Sequence, residues 1–394
     1  MLSRKIFRYL SLKKGAAPGP GKQLERLMEA CGEADFYRDR WGKDPADVDT
    51  LEELSALPTV DRQDILSNLD DLRTVSPGDA DEVKTTSGST GEPLEVLFNE
   101  KAHDMLEAEY LRALRHAGYR LRDRVAYYWF EDFEDRFYDS YIMRKERVAT
   151  DLGLEEQADR LRDIDPDALY YYPSMLFSLA KHLEGEPDVP EPDYILTHGE
   201  VLTNGMRETI EKVFDAPVFD RYATAEFGVV AFQCEEGSYH RCIDSFWFDF
   251  EDTRQGREII VTDLRNTATP MVRYRTGDIA GEETGCGCGL SLPAFEGIRG
   301  RRENFVETGK RTVSPVEVIE SLEDLHELLY FRVEFAGESI RLCFVPGDSF
   351  SEEVLEKAES NLRQLLGDIE LEFQELERVE PGARGKLPMV EKNG

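Results

Sequence analysis

The sequence predicts a large α/β N-terminal domain followed by a small α+β C-terminal domain, and three observations lead there. At 394 residues the chain exceeds one ordinary core, so one large and one smaller domain is the expectation. Between residues 94 and 214 helical and strand patterns alternate, as they do in sheets whose crossovers are helices. From about residue 304 the order becomes helix, hairpin, helix, strand, which suits a small unit with its own sheet.

The elements follow in order. Over 23–72 apolar residues recur at helical spacing, first Leu24, Leu27, Met28 and Cys31, then Ile65, Leu66 and Leu69, which gives a helical lead-in over 1–75. Residues 94–98 read as strand, 102–116 as helix, 125–130 as strand, 175–183 as helix, 194–196 as strand and 206–214 as helix. The part over 229–300 is strand-rich, with Phe246-Trp247-Phe248 and Ile259-Ile260-Val261 the clearest runs. This places a large domain at 1–302 and a small one at 303–394, the latter with helices over 316–322 and 354–366, a hairpin over 330–335 and 340–345, and a strand over 369–373. There is no internal repeat, and 15–21 is the only linker-like stretch.

Composition narrows the partners. The formal net charge is -33, and 14 of the 48 basic residues are Lys, leaving 34 Arg. Such a surface repels nucleic acid and anionic membranes, and its self-repulsion needs counter-ions, which suits a salty cytoplasm. No run of eighteen apolar residues exists, and the basic, apolar 1–14 segment lacks a long apolar centre and a small-residue cleavage site. A soluble cytoplasmic protein is expected, with no membrane insertion and an oligomeric state left open. Six cysteines at this length do not make a disulfide framework.

Chemistry concentrates first in Lys84-Thr85-Thr86-Ser87-Gly88-Ser89-Thr90-Gly91-Glu92-Pro93, where seven of ten residues are Gly, Ser or Thr. Backbone amides and hydroxyls at that density form an anion nest for a polyphosphate, or else a flexible Ser/Gly loop. It is not a Walker loop, because Lys-Ser/Thr does not follow the last glycine. Its positive charge must come from elsewhere. A second cluster pairs Cys234 and His240 with Cys286-Gly287-Cys288, flanked by Gly285 and Gly289. Three thiolates and an imidazole complete a tetrahedral zinc set, with Cys242 a competing ligand. The plain alternative makes Cys234 and Cys242 small core residues and the rest a loop.

Four further signals arrive in order: His198-Gly199-Glu200, Tyr222-Ala223-Thr224-Ala225-Glu226-Phe227-Gly228, Tyr274-Arg275-Thr276-Gly277-Asp278 and Gly300-Arg301-Arg302-Glu303-Asn304, with Gly385-Lys386 near the end. Together with the loop, and with Asp35-Phe36-Tyr37-Arg38 and Leu57-Pro58, this ordered set resembles the adenylate-forming superfamily over nearly the whole chain. Within it the pattern is similar to the phenylacetate–CoA ligase-like branch, which includes capsule-biosynthesis homologues and a deazaflavin-coenzyme adenylyltransferase. Singly, each motif also reads as a turn, a tail or a plain loop.

The resemblance implies ATP, Mg²⁺ and a small-molecule carboxylate, with CoA as acyl acceptor. It implies that Thr86, Ser87, Gly88, Ser89, Thr90 and Gly91 wrap the β- and γ-phosphates, that Glu226 holds Mg²⁺, and that Asp278 accepts from both ribose hydroxyls. By the same likeness Gly199 and Glu200 lie along the adenine, Tyr222 stacks on it, Arg301 touches the ribose, and Lys386 is the mobile cation at the α-phosphate. Asn304 takes the pivot position. The branch also has the Cys234, His240, Cys286, Cys288 pattern, which favours structural zinc.

Departures are visible: Glu92 stands in place of a loop Lys, Ala223 and Ala225 in place of Gly and Thr, and Asn304 in place of an acidic hinge residue. The loss of a hydroxyl at Ala225 removes a phosphate contact. Aromatic residues Tyr127, Tyr128, Trp129, Phe130, Tyr170, Tyr171 and Tyr172 line an aryl or arylacetic acid pocket, or are plain core strands. Three functions fit: an AMP-forming acid–CoA ligase, an adenylyltransferase acting on a hydroxyl without CoA, and a non-catalytic nucleotide-binding homologue.

Overall fold

Packing divides the chain into two units that each draw on two stretches of sequence: Met1–Leu114 with Tyr222–Gly297, and Arg115–Arg221 with Ile298–Gly394. The computed structural model describes residues 20–86, 93–131, 144–308, 311–336 and 339–393. The phosphate-loop residues Ser87, Gly88, Ser89, Thr90 and Gly91 lie outside them.

In the first unit the helical lead-in forms as its spacing predicts. Leu24, Leu27, Met28 and Cys31 make the buried face of the helix Pro20–Glu33. The short helices Leu51–Ser55 and Arg62–Ser67 begin at Thr50 and Asp61, each capping the third amide while Glu53 and Asp64 reach back to the cap. Such boxes contribute about 1 kcal/mol each and hold helices too short to persist alone. Tyr37 is fully buried, and its hydroxyl donates to the Pro270 carbonyl (3.0 Å) while accepting from the Val272 amide (2.9 Å). That pair of bonds ties the lead-in to the strand-rich part. There Phe246–Thr253, Gly256–Asp263 and Tyr274–Ala280 run antiparallel in sequence order. Gly228–Gln233 pairs with Tyr239–Arg241, which pairs in turn with Ala294–Phe295. The strands Glu82–Thr86 and Leu94–Phe98 form an antiparallel pair, Thr86 opposite Leu94.

The second unit is built on parallel strands. Tyr194–His198 pairs on one side with 218–221, the start of Val218–Thr224, and on the other with Ala168–Tyr171. Ala168–Tyr171 then pairs with Arg124–Trp129, and that strand with Arg144–Ala149, all parallel. Ala168–Tyr171 and Tyr194–His198 are buried along their whole length, as expected of central strands covered on both faces. Helices Leu154–Ile164, Pro173–Leu183 and Asn204–Phe214 supply the crossovers.

In the same unit, Leu328–Ala336 and Ser339–Pro346 form the predicted hairpin. Glu370–Glu375 and Val390–Asn393 add parallel to its two sides. The helices Pro315–Glu320 and Glu352–Leu366 complete the α+β arrangement. Leu176, Leu179 and Leu183 share one buried apolar cluster with Val318, Leu322 and Phe331. The boundary at 302/303 therefore separates segments that pack together here.

Two polar contacts fasten that packing. The Thr203 hydroxyl bonds the Glu323 carboxylate, which packs closely over Gly205, where a Cβ would require the carboxylate to shift. Lys181 is buried, its ammonium donating to the Leu328 carbonyl and lying 4.2 Å from the centre of the Phe177 ring. Burial pulls its pKa down to about 7, while Glu323 and Glu327 pull it partly back.

Between about pH 7 and the ordinary lysine value near 10.4 the unfolded chain holds a proton that the folded chain has lost, so this group makes stability rise with pH. Below pH 7 the whole cost of the buried charge is present. Lys181→Met is expected to stabilise the protein more at pH 6 than at pH 10, by on the order of 3 kcal/mol. Denaturant unfolding at both pH values checks this, and an equal change at the two would refute it.

Candidate active site

Three parallel strands of the second unit end together on aromatic side chains. Trp129 closes Arg124–Trp129, Tyr172 follows Ala168–Tyr171, and His198 closes Tyr194–His198. Carboxyl ends of parallel strands are where α/β sheets place their ligands, because the following loops leave the sheet there. The His198 ring lies 4.3 Å from that of Tyr170, 4.7 Å from Tyr172 and 5.9 Å from Trp129. Burial draws its pKa down to about 3, with the nearby Lys386 charge adding to the effect. The imidazole is neutral at physiological pH.

Gly199 follows with φ +75°, and a Cβ there would stand 3.1 Å from the Tyr172 ring. A glycine is required on both counts. Its carbonyl accepts a hydrogen bond from the Lys386 ammonium at 2.9 Å. Glu200 anchors the other end of this contact: its carboxylate accepts from the Leu387 amide at 2.9 Å, from the Ser174 amide at 3.3 Å and from the Ser174 hydroxyl. Burial raises the Glu200 carboxyl above its ordinary range, opposed by Ser174, Lys386 and the Leu387 amide. The result is a lysine fixed by backbone on one side and by its own ammonium on the other.

The first unit holds a separate set. The buried Tyr222 hydroxyl donates to Asp278 at 2.7 Å, and Thr276 accepts the Asp278 amide at 3.1 Å while donating to the Ile259 carbonyl. Glu226 faces Arg62 at 3.2 Å, with both side chains largely covered. Next to it the Phe227 carbonyl accepts from buried Arg265, which Asp263 holds through two further bonds and which lies 4.1 Å from the centre of the Phe246 ring. Arg265 thus sets the backbone that carries Glu226.

The cysteine and histidine cluster also assembles in this unit. Ligand atoms of Cys234, His240, Cys286 and Cys288 all lie within 4.8 Å of one another. Cys234 and Cys286 sulfurs are 3.4 Å apart, and Cys288 is 3.3 Å from His240 Nε2. The other nitrogen, Nδ1, bonds the Leu292 carbonyl at 2.9 Å, which fixes the tautomer and leaves Nε2 to face the sulfurs. The two shortest separations are near the edges of a tetrahedron around zinc, and the donor set is one that zinc prefers. Cys242 does not join it. That thiol is fully buried elsewhere, beside Glu109 and Arg112.

No family model matches the chain. A phenylacetate–coenzyme A ligase of Pseudomonas putida is 26% identical over 345 residues, covering 79% of this chain and 78% of that protein. Protein CapK of Staphylococcus aureus is 25% identical over 245 residues, covering 58% of this chain and 54% of its own length. Among solved structures, 2-hydroxyisobutyryl-CoA ligase in the postadenylation state, in complex with 2-HIB-AMP, superposes with a TM-score of 0.72 at 20% identity, covering 93% of this chain and 88% of that one. The chain is thus similar in sequence to phenylacetate–CoA ligases and shares the fold of 2-hydroxyisobutyryl-CoA ligase.

Against that background the sequence-predicted residues fall into place unevenly. In this chain Tyr222 and Asp278 are in direct contact, as are Gly199 and Lys386. Thr86 ends the strand Glu82–Thr86. Arg301 is exposed, 3.6 Å from Glu303. The Glu200 carboxylate points at Ser174 and Leu387. Residues that motif reading missed are Arg62, Ser174, Arg265 and His198 itself. The first three act through contacts distant in sequence, while His198 was in view inside its motif.

Proposed function

We propose that the protein activates a carboxylate with ATP and passes the acyl group to CoA. The observation that carries this reading is Lys386, held on the Gly199 carbonyl at the carboxyl ends of the parallel strands. A carboxylate oxygen attacks the α-phosphorus, the bond to the bridging oxygen of the β-phosphate breaks, and pyrophosphate leaves with that electron pair. The CoA thiol, losing its proton, then attacks the acyl carbon, and AMP departs.

Lys386 neutralises charge growing around the α-phosphorus, the largest electrostatic demand of the first step. Asp278 accepts from the ribose hydroxyls, with Tyr222 holding its carboxylate in place. The family's Mg²⁺ suits Glu226: a carboxylate is the hard donor it prefers, and Arg62 shows that the position already receives a cation. When bound, Mg²⁺ supplies positive charge against the phosphates. Glu226 would hold it, and Arg265 would keep Glu226 in place. Glu200 acts here as the anchor for the segment bearing Lys386, a role that does not exclude contact with adenine through the backbone of Gly199.

Residues 303–394 are the mobile part, pivoting at Asn304. Their release from 115–221 requires breaking the Thr203–Glu323, Lys181–Leu328 and Glu200–Leu387 contacts. Zinc held by Cys234, His240, Cys286 and Cys288 is structural, because four protein ligands leave no open position. Aryl or arylacetic acids are the preferred substrates, given the Tyr172 ring 5.9 Å from the Lys386 ammonium and Trp129 stacked against Tyr172. Among the described residues no helix is long and apolar enough to cross a membrane. The acidic surface suits a cytoplasm rich in salt.

Pyrophosphate exchange into ATP, run at high salt with a panel of aryl and short acyl acids, tests the first step. Exchange dependent on one acid class, followed by CoA-dependent AMP release, is the expected result. ATP binding without exchange for any acid would refute the proposal. A stable adenylylated product formed without thiol would replace its second half by transfer to a hydroxyl.

A further inference from the structure

His198 is a member of the strand-end group whose polar atom is left over. Its side chain is about nineteen-twentieths covered, with 6% exposure, yet Nε2 has no hydrogen-bond partner among the described residues. An unmet buried donor or acceptor costs roughly 1–3 kcal/mol, so native proteins keep one where a ligand completes it. The surroundings fit that explanation. The ring is stacked by Tyr170 and flanked by Tyr172 and Trp129, three apolar faces that orient it without bonding it. It closes the strand Tyr194–His198, and the next residue, Gly199, receives Lys386.

An imidazole there is poorly suited to two other tasks. Neutral at physiological pH, it offers no charge to phosphate, and with Lys386 so close a second cation would be opposed. For packing alone, phenylalanine would fill the same aromatic box without stranding a nitrogen. What a neutral imidazole does well is give or take one hydrogen bond in a dry place.

We infer that His198 is a specificity-determining residue of the acid site, and that Nε2 bonds a hydroxyl on the ring of an aryl carboxylate. The inference rests on the carboxylate-activating reading and deepens it by naming hydroxyaryl acids as the substrate class. Trp129 and Tyr172 give the aromatic faces, Lys386 meets the carboxylate, and His198 reads the hydroxyl. Sites built to bond a substrate hydroxyl reject the analogue that lacks it more strongly than an apolar pocket rejects an added one, because the protein group is then stranded.

The test compares matched acids by pyrophosphate exchange: benzoate and phenylacetate, each against its 2-, 3- and 4-hydroxy forms. Wild type is expected to prefer at least one hydroxylated acid over its parent by about tenfold or more in kcat/KM. His198→Phe should abolish or reverse that ratio, and His198→Gln, which keeps a hydrogen-bonding group, should retain part of it. The ratio is independent of how much variant folds. Exchange that persists with the same ratio in wild type and His198→Phe, or a wild type that favours the parent acids, overturns the assignment of His198 alone. Absence of exchange with every acid in wild type overturns the carboxylate-activating reading, and the inference with it.

Discussion

Replacing Lys386 by alanine is expected to lower acid-dependent pyrophosphate exchange by about two orders of magnitude or more, the usual cost of losing one group aimed at developing charge. The size of the effect follows from how firmly the lysine is placed. Its ammonium bonds the Gly199 carbonyl, and the next residue is pinned by its amide to half-buried Glu200, so part of the side chain's freedom is already lost before the transition state. Lys386→Arg should recover little, because the broader guanidinium does not match a single carbonyl contact. Thioester formation from a preformed acyl-adenylate and CoA should change only a few-fold, since no charge grows at the α-phosphorus in that half. Glu200→Ala leaves the ammonium in the chain but frees its backbone anchor, and an intermediate loss of about tenfold is expected. Equal exchange by wild type and Lys386→Ala would remove Lys386 from the site.

In each unit's residue set, the parts legible in sequence are those whose meaning travels with a short motif. Tyr222, Glu226, Asp278 and Lys386 sit in runs whose order resembles a known family, and the contacts Tyr222–Asp278 and Lys386–Gly199 join residues from two such runs. Arg62 is different. It opens a six-residue helix and meets Glu226 across 164 positions, a distance that no local pattern encodes. Ser174 likewise becomes meaningful only when Glu200 is seen to bond it.

The fold divides in the same way. Leu24, Leu27, Met28 and Cys31 betray their helix because one face of it is buried, and helical periodicity records burial. Arg144–Ala149 shows no such signal: it is the outermost of its parallel strands, only Val148 is buried, and its pairing rests on main-chain bonds to Arg124–Trp129. Cys242 illustrates the limit for ligands. By spacing it rivals Cys234, yet its chain direction carries it to Glu109 and Arg112, where burial drives its thiol well above the ordinary range.

Removing zinc should have the largest effect on stability. Protein purified without added metal is expected to contain about one zinc per chain, and Cys288→Ser to lose it. Zinc-binding peptides draw about 10–16 kcal/mol from their metal because nothing else folds them. Here the ligands ride on structure that has other support: Cys234 follows Gly228–Gln233, His240 lies in Tyr239–Arg241, and both strands belong to a paired set with Ala294–Phe295. Cys286 and Cys288 lack that support, since their segment forms neither helix nor strand and contains Gly285, Gly287 and Gly289. A bound metal would therefore replace the local order that three glycines remove. A loss on the order of 4 kcal/mol is expected for Cys288→Ser, seen as a Tm lower by about 5 °C. Cys242→Ala tests the ligand choice, because it should leave zinc content unchanged despite its own packing cost. Wild-type protein without zinc would reduce the four residues to a packed thiol cluster. Zinc retained in Cys288→Ser but lost in Cys242→Ala would exchange the fourth ligand.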